Sequence, residues 1–186
     1  MKLSVLIKVL ITLVLVAYPF IVYVGIQTVP PSFIGLLLMV LLALRFGVLR
    51  AQERRLQWPI LLVFLVYALI ATLLRSEKFL LFYPVMVNLV LFAVFVSSLR
   101  NEESILLRLV RARGVKISVY GPSYLSRLTA VWAGFFLLNA AVAAWTTTQP
   151  LATWTLYNGL IAYLLVAMMI AIEWLFRIQY KKHRGI

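Results

Sequence analysis

The chain has 186 residues, 65% of them hydrophobic, and a mean hydropathy of +1.04. Charged residues make up 12%, too few to give a water-soluble domain of this size a polar surface, so the composition points to an all-α, polytopic membrane protein. There is no Cys, no Asp and one His, His183, which excludes disulfides, thiolate metal sites and a Ser/His/Asp triad. Eighteen Lys and Arg against five Glu give a net charge of +13. The basic residues are scattered over connections and not gathered on one module. They read as loops facing anionic headgroups, not as a nucleic-acid surface.

A helix needs about 20 residues to cross a ~30 Å hydrocarbon core. Six apolar runs approach that length, at about 4–27, 29–46, 58–74, 79–98, 128–147 and 154–176. The first follows Lys2 and Lys8, as the core of a signal peptide does. Its residues LVAYPFIVYVGI are bulky and offer no small-residue cleavage site, so it is expected to remain as a span. The turns TVPPS and RSEK are tight, and TTTQPLAT is uncharged. No connection is long enough to form a core of its own, so residues 1–186 read as a single transmembrane domain. All the basic residues except Arg75 and Lys78 fall on one side of this arrangement, which puts both termini in the cytoplasm. Trp58, Trp145 and Trp154 stand at span ends, where an indole ring suits the interface.

Between the fourth and fifth spans lies NEESILLRLVRARG. Asn101 is a good N-cap, Glu102 and Glu103 favour a helix amino terminus, and Gly114 can end the helix. Ile105, Leu106, Leu109 and Val110 share a face. A short interfacial helix over about 102–113 is expected on the cytoplasmic leaflet, with Arg108, Arg111, Arg113 and Lys116 touching lipid headgroups.

At 1.5 Å per residue, Tyr18, Asn88, Asn139 and Tyr163 lie about 12–13 Å inside the outer face, and Tyr23, Tyr83 and Asn158 about 6 Å inside. An unpaired amide in hydrocarbon costs several kcal/mol. These groups should therefore face one another or a wet cavity, and a contact between Asn88 and Asn139 is expected. Tyr18, Tyr83, Asn88, Asn139 and Asn158 are the candidates either for joining helices or for lining a substrate cavity. Pro19 and Pro84 each follow a Tyr and free a carbonyl one turn earlier. The pairs YPFIV and YPVMV hint at two three-helix halves of opposite orientation. Gly134 and the alanines of NAAVAAW suit close packing, as does Gly159. Glu173 pairs at i,i+4 with Arg177 or serves as a proton-coupling carboxylate. The sequence assigns no catalytic residue, no metal and no cofactor.

The stretch LTAVWAGFFLLNAAVAAW, followed by WTLYNGLIAYLLVAMMIAIEWLFR, resembles the last two spans of the YciB family, intracellular septation protein A. RSEKF opening the fourth span and ILLRLV before the fifth extend the likeness over roughly residues 60–180. YPVMVN and YNGLIAY are closer still to a related family of membrane proteins encoded beside acyl-chain and aryl-polyene genes. Where the septation family carries a lysine-bearing Phe-Ile-Lys stretch, this chain has FLLFYP. The resemblance implies a multi-pass protein of the bacterial inner membrane, without catalytic activity, in cell-envelope biogenesis. Its expected partners are membrane lipids and membrane proteins of envelope synthesis, with no nucleic acid, and a homo-oligomer is compatible with it. Two roles stand side by side. One is support of envelope or lipid-linked product assembly through helix contacts. The other is a small transporter or flippase for a lipid or aryl-polyene-type product, using an outer-half polar cavity. A lipid-modifying enzyme is a weaker third.

Overall fold

The computed structural model describes residues 13–48, 51–112, 114 and 121–184, with side chains for 13–44, 47, 61–112, 114 and 121–179. Residues 4–12 of the expected first span, the ring of Trp58, and Arg113 and Lys116 lie outside these. Among the described residues the chain is helix and turn, without strand. Among the described residues two stretches are long and apolar enough to cross a membrane, Gly121–Thr146 and Leu151–Gln179. Pro31–Leu44, Leu61–Leu74 and Tyr83–Leu99 are shorter apolar helices.

The described residues form two compact units, the first of residues 1–83 and 146–160, the second of 84–145 and 161–186. In the first unit, residues 13–16 are helical and break at Ala17, two residues before Pro19. Helix α1 (Tyr18–Thr28) follows, then a turn at Val29 and Pro30, then α2 (Pro31–Val48). Helix α3 (Ala51–Leu74) begins well before the span expected from 58, because the helix runs on through the basic stretch AQERRLQ. It stops at Arg75, whose φ of 47° is the left-handed conformation that commonly closes a helix. Helices α2 and α3 pack along one another. At Gly35 they approach closely: a Cβ there would lie 3.2 Å from the backbone N and Cα of Thr72. Helix α4 (Glu77–Leu81) ends at Phe82, so the span expected over 79–98 is interrupted. Pro84 explains the break, since its ring clashes with the preceding turn and it has no N–H to donate. The unit is completed by α8 (Leu151–Leu156) and a wider π turn, Tyr157–Ile161, most of which belongs to it.

The second unit contains α5 (Tyr83–Leu99) from Pro84 on, α6 (Ile105–Ala112), most of α7 (Gly121–Thr146) and α9 (Ala162–Arg184). Helix α7 starts earlier than the expected 128, and α9 runs beyond the expected 176. Helix α6 is shorter than the expected 102–113, and Asn101 does not cap it. Asn101 to Glu103 form bends, and the first intrahelical bond runs from the Arg108 N–H to the Ser104 carbonyl, 3.0 Å. The free Ile105 N–H is held instead by Ser98 Oγ, 3.1 Å, at the end of α5. Ser98 also donates to the Phe95 carbonyl, 2.7 Å, so one buried hydroxyl ties the end of one helix to the start of the next. Leu107 is the buried anchor of α6, while Ile105, Leu106 and Val110 are half-buried and Leu109 is exposed. Arg108 and Arg111 are exposed, and Arg111 pairs with Glu103. Gly114 adopts φ 69° just past the helix, as expected of a glycine at that place.

Two further expectations are corrected. Gly134 is exposed with open space where a Cβ would stand, so it is not a close-packing position; Ala133, Ala140 and Ala143 are the buried small residues of α7. Trp154 is not an interfacial ring. It is 0% exposed, whereas Trp145 is exposed.

The distribution of polarity is inverted relative to a water-soluble domain. On α3, Leu62, Val63, Val66, Leu69, Ile70 and Leu73 are between 40% and 71% exposed. On α9, Leu164, Met168, Ile170, Trp174 and Phe176 are exposed as well. Contiguous apolar surface of this kind marks contact with lipid or another protein.

Candidate functional site: carbonyls and amides at the helix breaks

Five polar residues singled out in the sequence are all buried, at most 9% exposed: Tyr18, Tyr83, Asn88, Asn139 and Asn158. Tyr18, Tyr83 and Asn158 belong to the first unit, Asn88 and Asn139 to the second. Tyr23 and Tyr163, read as part of the same levels, are exposed.

In the first unit the interruption at Phe82 organises the chemistry. Proline at 84 removes the N–H that would bond the Leu80 carbonyl. Tyr18 supplies a replacement, its hydroxyl donating to that carbonyl at 3.1 Å. The flanking carbonyls accept from other helices too. Tyr67 of α3 donates its hydroxyl to Phe79, and Trp154 of α8 donates Nε1–H to Leu81 at 3.0 Å. Three successive carbonyls therefore receive donors from three different helices. Aromatic contacts bind the same place together. The Tyr18 and Tyr83 rings lie 4.4 Å apart, and Phe64 and Tyr67 stand 5.7 Å and 6.5 Å from Tyr83.

The π turn adds a second feature. Asn158 within it donates from Nδ2 to Thr146 Oγ1 at 3.0 Å and to the Trp154 carbonyl at 2.9 Å. Gly159 beside it admits the Phe20 ring, whose edge atoms would be 2.8 Å from a Cβ there. Any larger residue has to displace Phe20. The three discontinuities of the first unit, at Ala17, at Phe82 and in the π turn, are thus linked. Tyr18 and Phe20, just after the first, touch Leu80 before the second and Gly159 in the third.

In the second unit the expected contact is present. Asn139 Nδ2 donates to Asn88 Oδ1 at 2.9 Å, and Asn88 Nδ2 donates to the Pro84 carbonyl at 2.8 Å. Phe95 and Phe136 pack edge to face at 5.1 Å on the same pair of helices. Glu173 meets Arg177 at 3.5 Å, the i,i+4 pair read from the sequence. It also accepts from the Tyr124 hydroxyl at 3.2 Å, a partner the sequence did not suggest.

Chemically this is a set of neutral donors and acceptors that answer one another. Tyr67, Trp154 and Thr146 were missed in the sequence. The available signal was Pro84: a missing N–H implies an orphan carbonyl, and an orphan carbonyl in an apolar setting implies a donor nearby.

The pairing of Tyr18 with the proline-freed carbonyl has a measurable consequence. Tyr18→Phe leaves the Leu80 carbonyl without that donor and should cost about 1–3 kcal/mol. In a Pro84→Ala background the backbone N–H is restored, so the same change should cost less. Thermal unfolding in detergent of the four proteins of this cycle reads the difference; equal costs in both backgrounds would contradict the assignment.

Comparisons with protein-family models, with curated proteins and with solved structures return no match.

Proposed function

We infer that this chain is a multi-pass protein of the bacterial inner membrane, with six spans and both termini cytoplasmic. Its role is non-enzymatic support of cell-envelope biogenesis, or of the assembly of a lipid-linked or acyl product, through helix contacts with membrane partners. One observation carries this reading. The buried donors and acceptors around Leu80 and Asn88 are committed to one another, while the large apolar side chains face outward. Such a body offers surface to lipid and to other helices and keeps its polar groups for its own cohesion. The resemblance to septation protein A and to the proteins encoded beside aryl-polyene genes supports the same role. The polarity of α6, with Leu107 inward and Arg108 and Arg111 outward, supports an interfacial helix as part of it.

A second reading has its own support. Transporters build substrate sites where discontinuous helices meet, and here the breaks at Ala17, Phe82 and Tyr157–Ile161 are linked. A small transporter or flippase for a lipid or acyl-polyene product would use Tyr18, Tyr83 and Asn158 there.

Complementation separates the two. A deletion strain is scored for envelope permeability and rescued with wild type, Tyr18→Phe, or Asn158→Ala. Variants that reach the membrane in wild-type amounts and rescue fully support the supporting role. Variants equally abundant that fail to rescue contradict it and favour transport.

A further inference from the structure

We propose that α9 holds the head group of a zwitterionic phospholipid near its basic end, the ammonium on Glu173 and the phosphate on Arg177. The proposal rests on the membrane reading above. Ala162, Val166 and Met169 are the buried or half-buried row of α9, and Glu173 closes that row at the spacing of one helix face. The described residues after it, Trp174 to Gln179, are all exposed. An acid at the end of an apolar row has to be answered by donors. Tyr124 of α7 donates its hydroxyl to Glu173 Oε1 at 3.2 Å, and Arg177 Nε stands 3.5 Å from the same oxygen. The second contact is an ion pair but is longer than a hydrogen bond. Among the described residues, Oε2 therefore accepts no hydrogen bond and the guanidinium donates none. The Glu173 side chain is 17% exposed and that of Arg177 is 50% exposed, so both can be reached from outside.

The surroundings decide the occupant. Arg177 is the first basic residue of the tail, which the positive-inside rule puts at the cytoplasmic face. Glu173 stands one turn earlier, about 6 Å along the axis, and so at the level of the head groups. On the face of Arg177 itself the helix carries Trp174 and Ile170, each 54% exposed, three and seven residues back and so in line with it. They give an acyl chain an apolar path leading away from the guanidinium. An ethanolamine phospholipid matches all three features. Its phosphate suits the open guanidinium fork. Its ammonium, joined to the phosphate by a short link, has hydrogens to donate to Oε2. Its chains cover Trp174 and Ile170. A purely anionic head would satisfy Arg177 but be repelled by Glu173. A soluble aminoalkyl phosphate carries the same charges but leaves the apolar path bare.

The test is native mass spectrometry of the detergent-purified full chain offered equal amounts of phosphatidylethanolamine, phosphatidylglycerol and phosphatidylcholine. Wild type should retain phosphatidylethanolamine about tenfold over each of the others, the weight of one hydrogen bond between charged groups. Phosphatidylcholine keeps the positive charge but has no N–H to donate, so this comparison needs no variant and is immune to misfolding. Glu173→Gln should still retain lipid but bring phosphatidylethanolamine and phosphatidylglycerol to within about twofold of each other. Arg177→Gln should lose most of both. Melting temperatures of the two variants are read alongside. Equal retention of the three lipids by wild type overturns the proposal. So does an unchanged preference in Glu173→Gln, a protein dimer in place of the lipid adduct, or displacement of the lipid by an equal amount of soluble glycerophosphoethanolamine. A chain that stays soluble without detergent would instead overturn the membrane reading.

Discussion

Trp154→Ala should destabilise the protein by about 3–5 kcal/mol, the range for removing a fully buried large aromatic. The indole is 0% exposed and lies among the elements of the first unit. Two terms contribute. The ring leaves a cavity, and the loss grows with whatever part of it the surrounding structure cannot fill by relaxing. The Leu81 carbonyl also loses the Nε1–H donor that reaches it at 3.0 Å. Trp154→Phe separates the terms in part: it keeps much of the ring volume and removes the donor, for about 1–3 kcal/mol from the orphaned carbonyl. The ordering wild type, Trp154→Phe, Trp154→Ala in melting temperature is the expected result. A Trp154→Ala protein that melts with wild type would show that this indole does not hold the unit together.

The amide pair of the second unit gives the other large effect. Asn139→Leu removes the donor to Asn88 Oδ1, and Asn88→Leu removes both that acceptor and the donor to the Pro84 carbonyl. Each single change should cost about 1–2 kcal/mol, the upper part of the range for polar contacts between helices in a bilayer. The double change should cost less than the two together, because it leaves neither amide of the pair facing an apolar side chain. The coupling, about 0.5–1.5 kcal/mol, is read by a double-mutant cycle on unfolding in detergent. Additive costs would mean the two amides act separately.

The helices were legible in the sequence because long apolar runs bounded by charge and proline leave few alternatives. The rotation of each helix was not. A helix that is apolar on every side has no polar face to orient it, and so Trp154 and Trp145, both at span ends, read alike although one is buried and the other exposed. Polar residues inside the runs did orient the helices. The asparagines Asn88, Asn139 and Asn158 point inward, because an amide cannot be left in hydrocarbon. Tyrosine carries a weaker signal, since its ring is content at an interface; Tyr18 and Tyr83 turned inward, Tyr23 and Tyr163 did not. The break at Phe82 was implicit in Pro84, but its three donors come from residues 18, 67 and 154, separations that no local pattern records. The π turn at Tyr157–Ile161 has only Gly159 as a local sign, and the ring that fills the space over it belongs to Phe20. Helix α6 started at Ile105 and not after Asn101, because Ser98, on the previous helix, supplies the cap.

Membrane topology is the claim on which the rest depends. The chain has no native cysteine, so single substitutions report cleanly with a membrane-impermeant thiol reagent. Ser76→Cys and Thr148→Cys should label in cells whose outer membrane alone is permeable, and Glu102→Cys should label only after the inner membrane is opened. Labelling of Glu102→Cys from outside, protection of the other two, or recovery of the chain in the soluble fraction would contradict six spans with cytoplasmic termini.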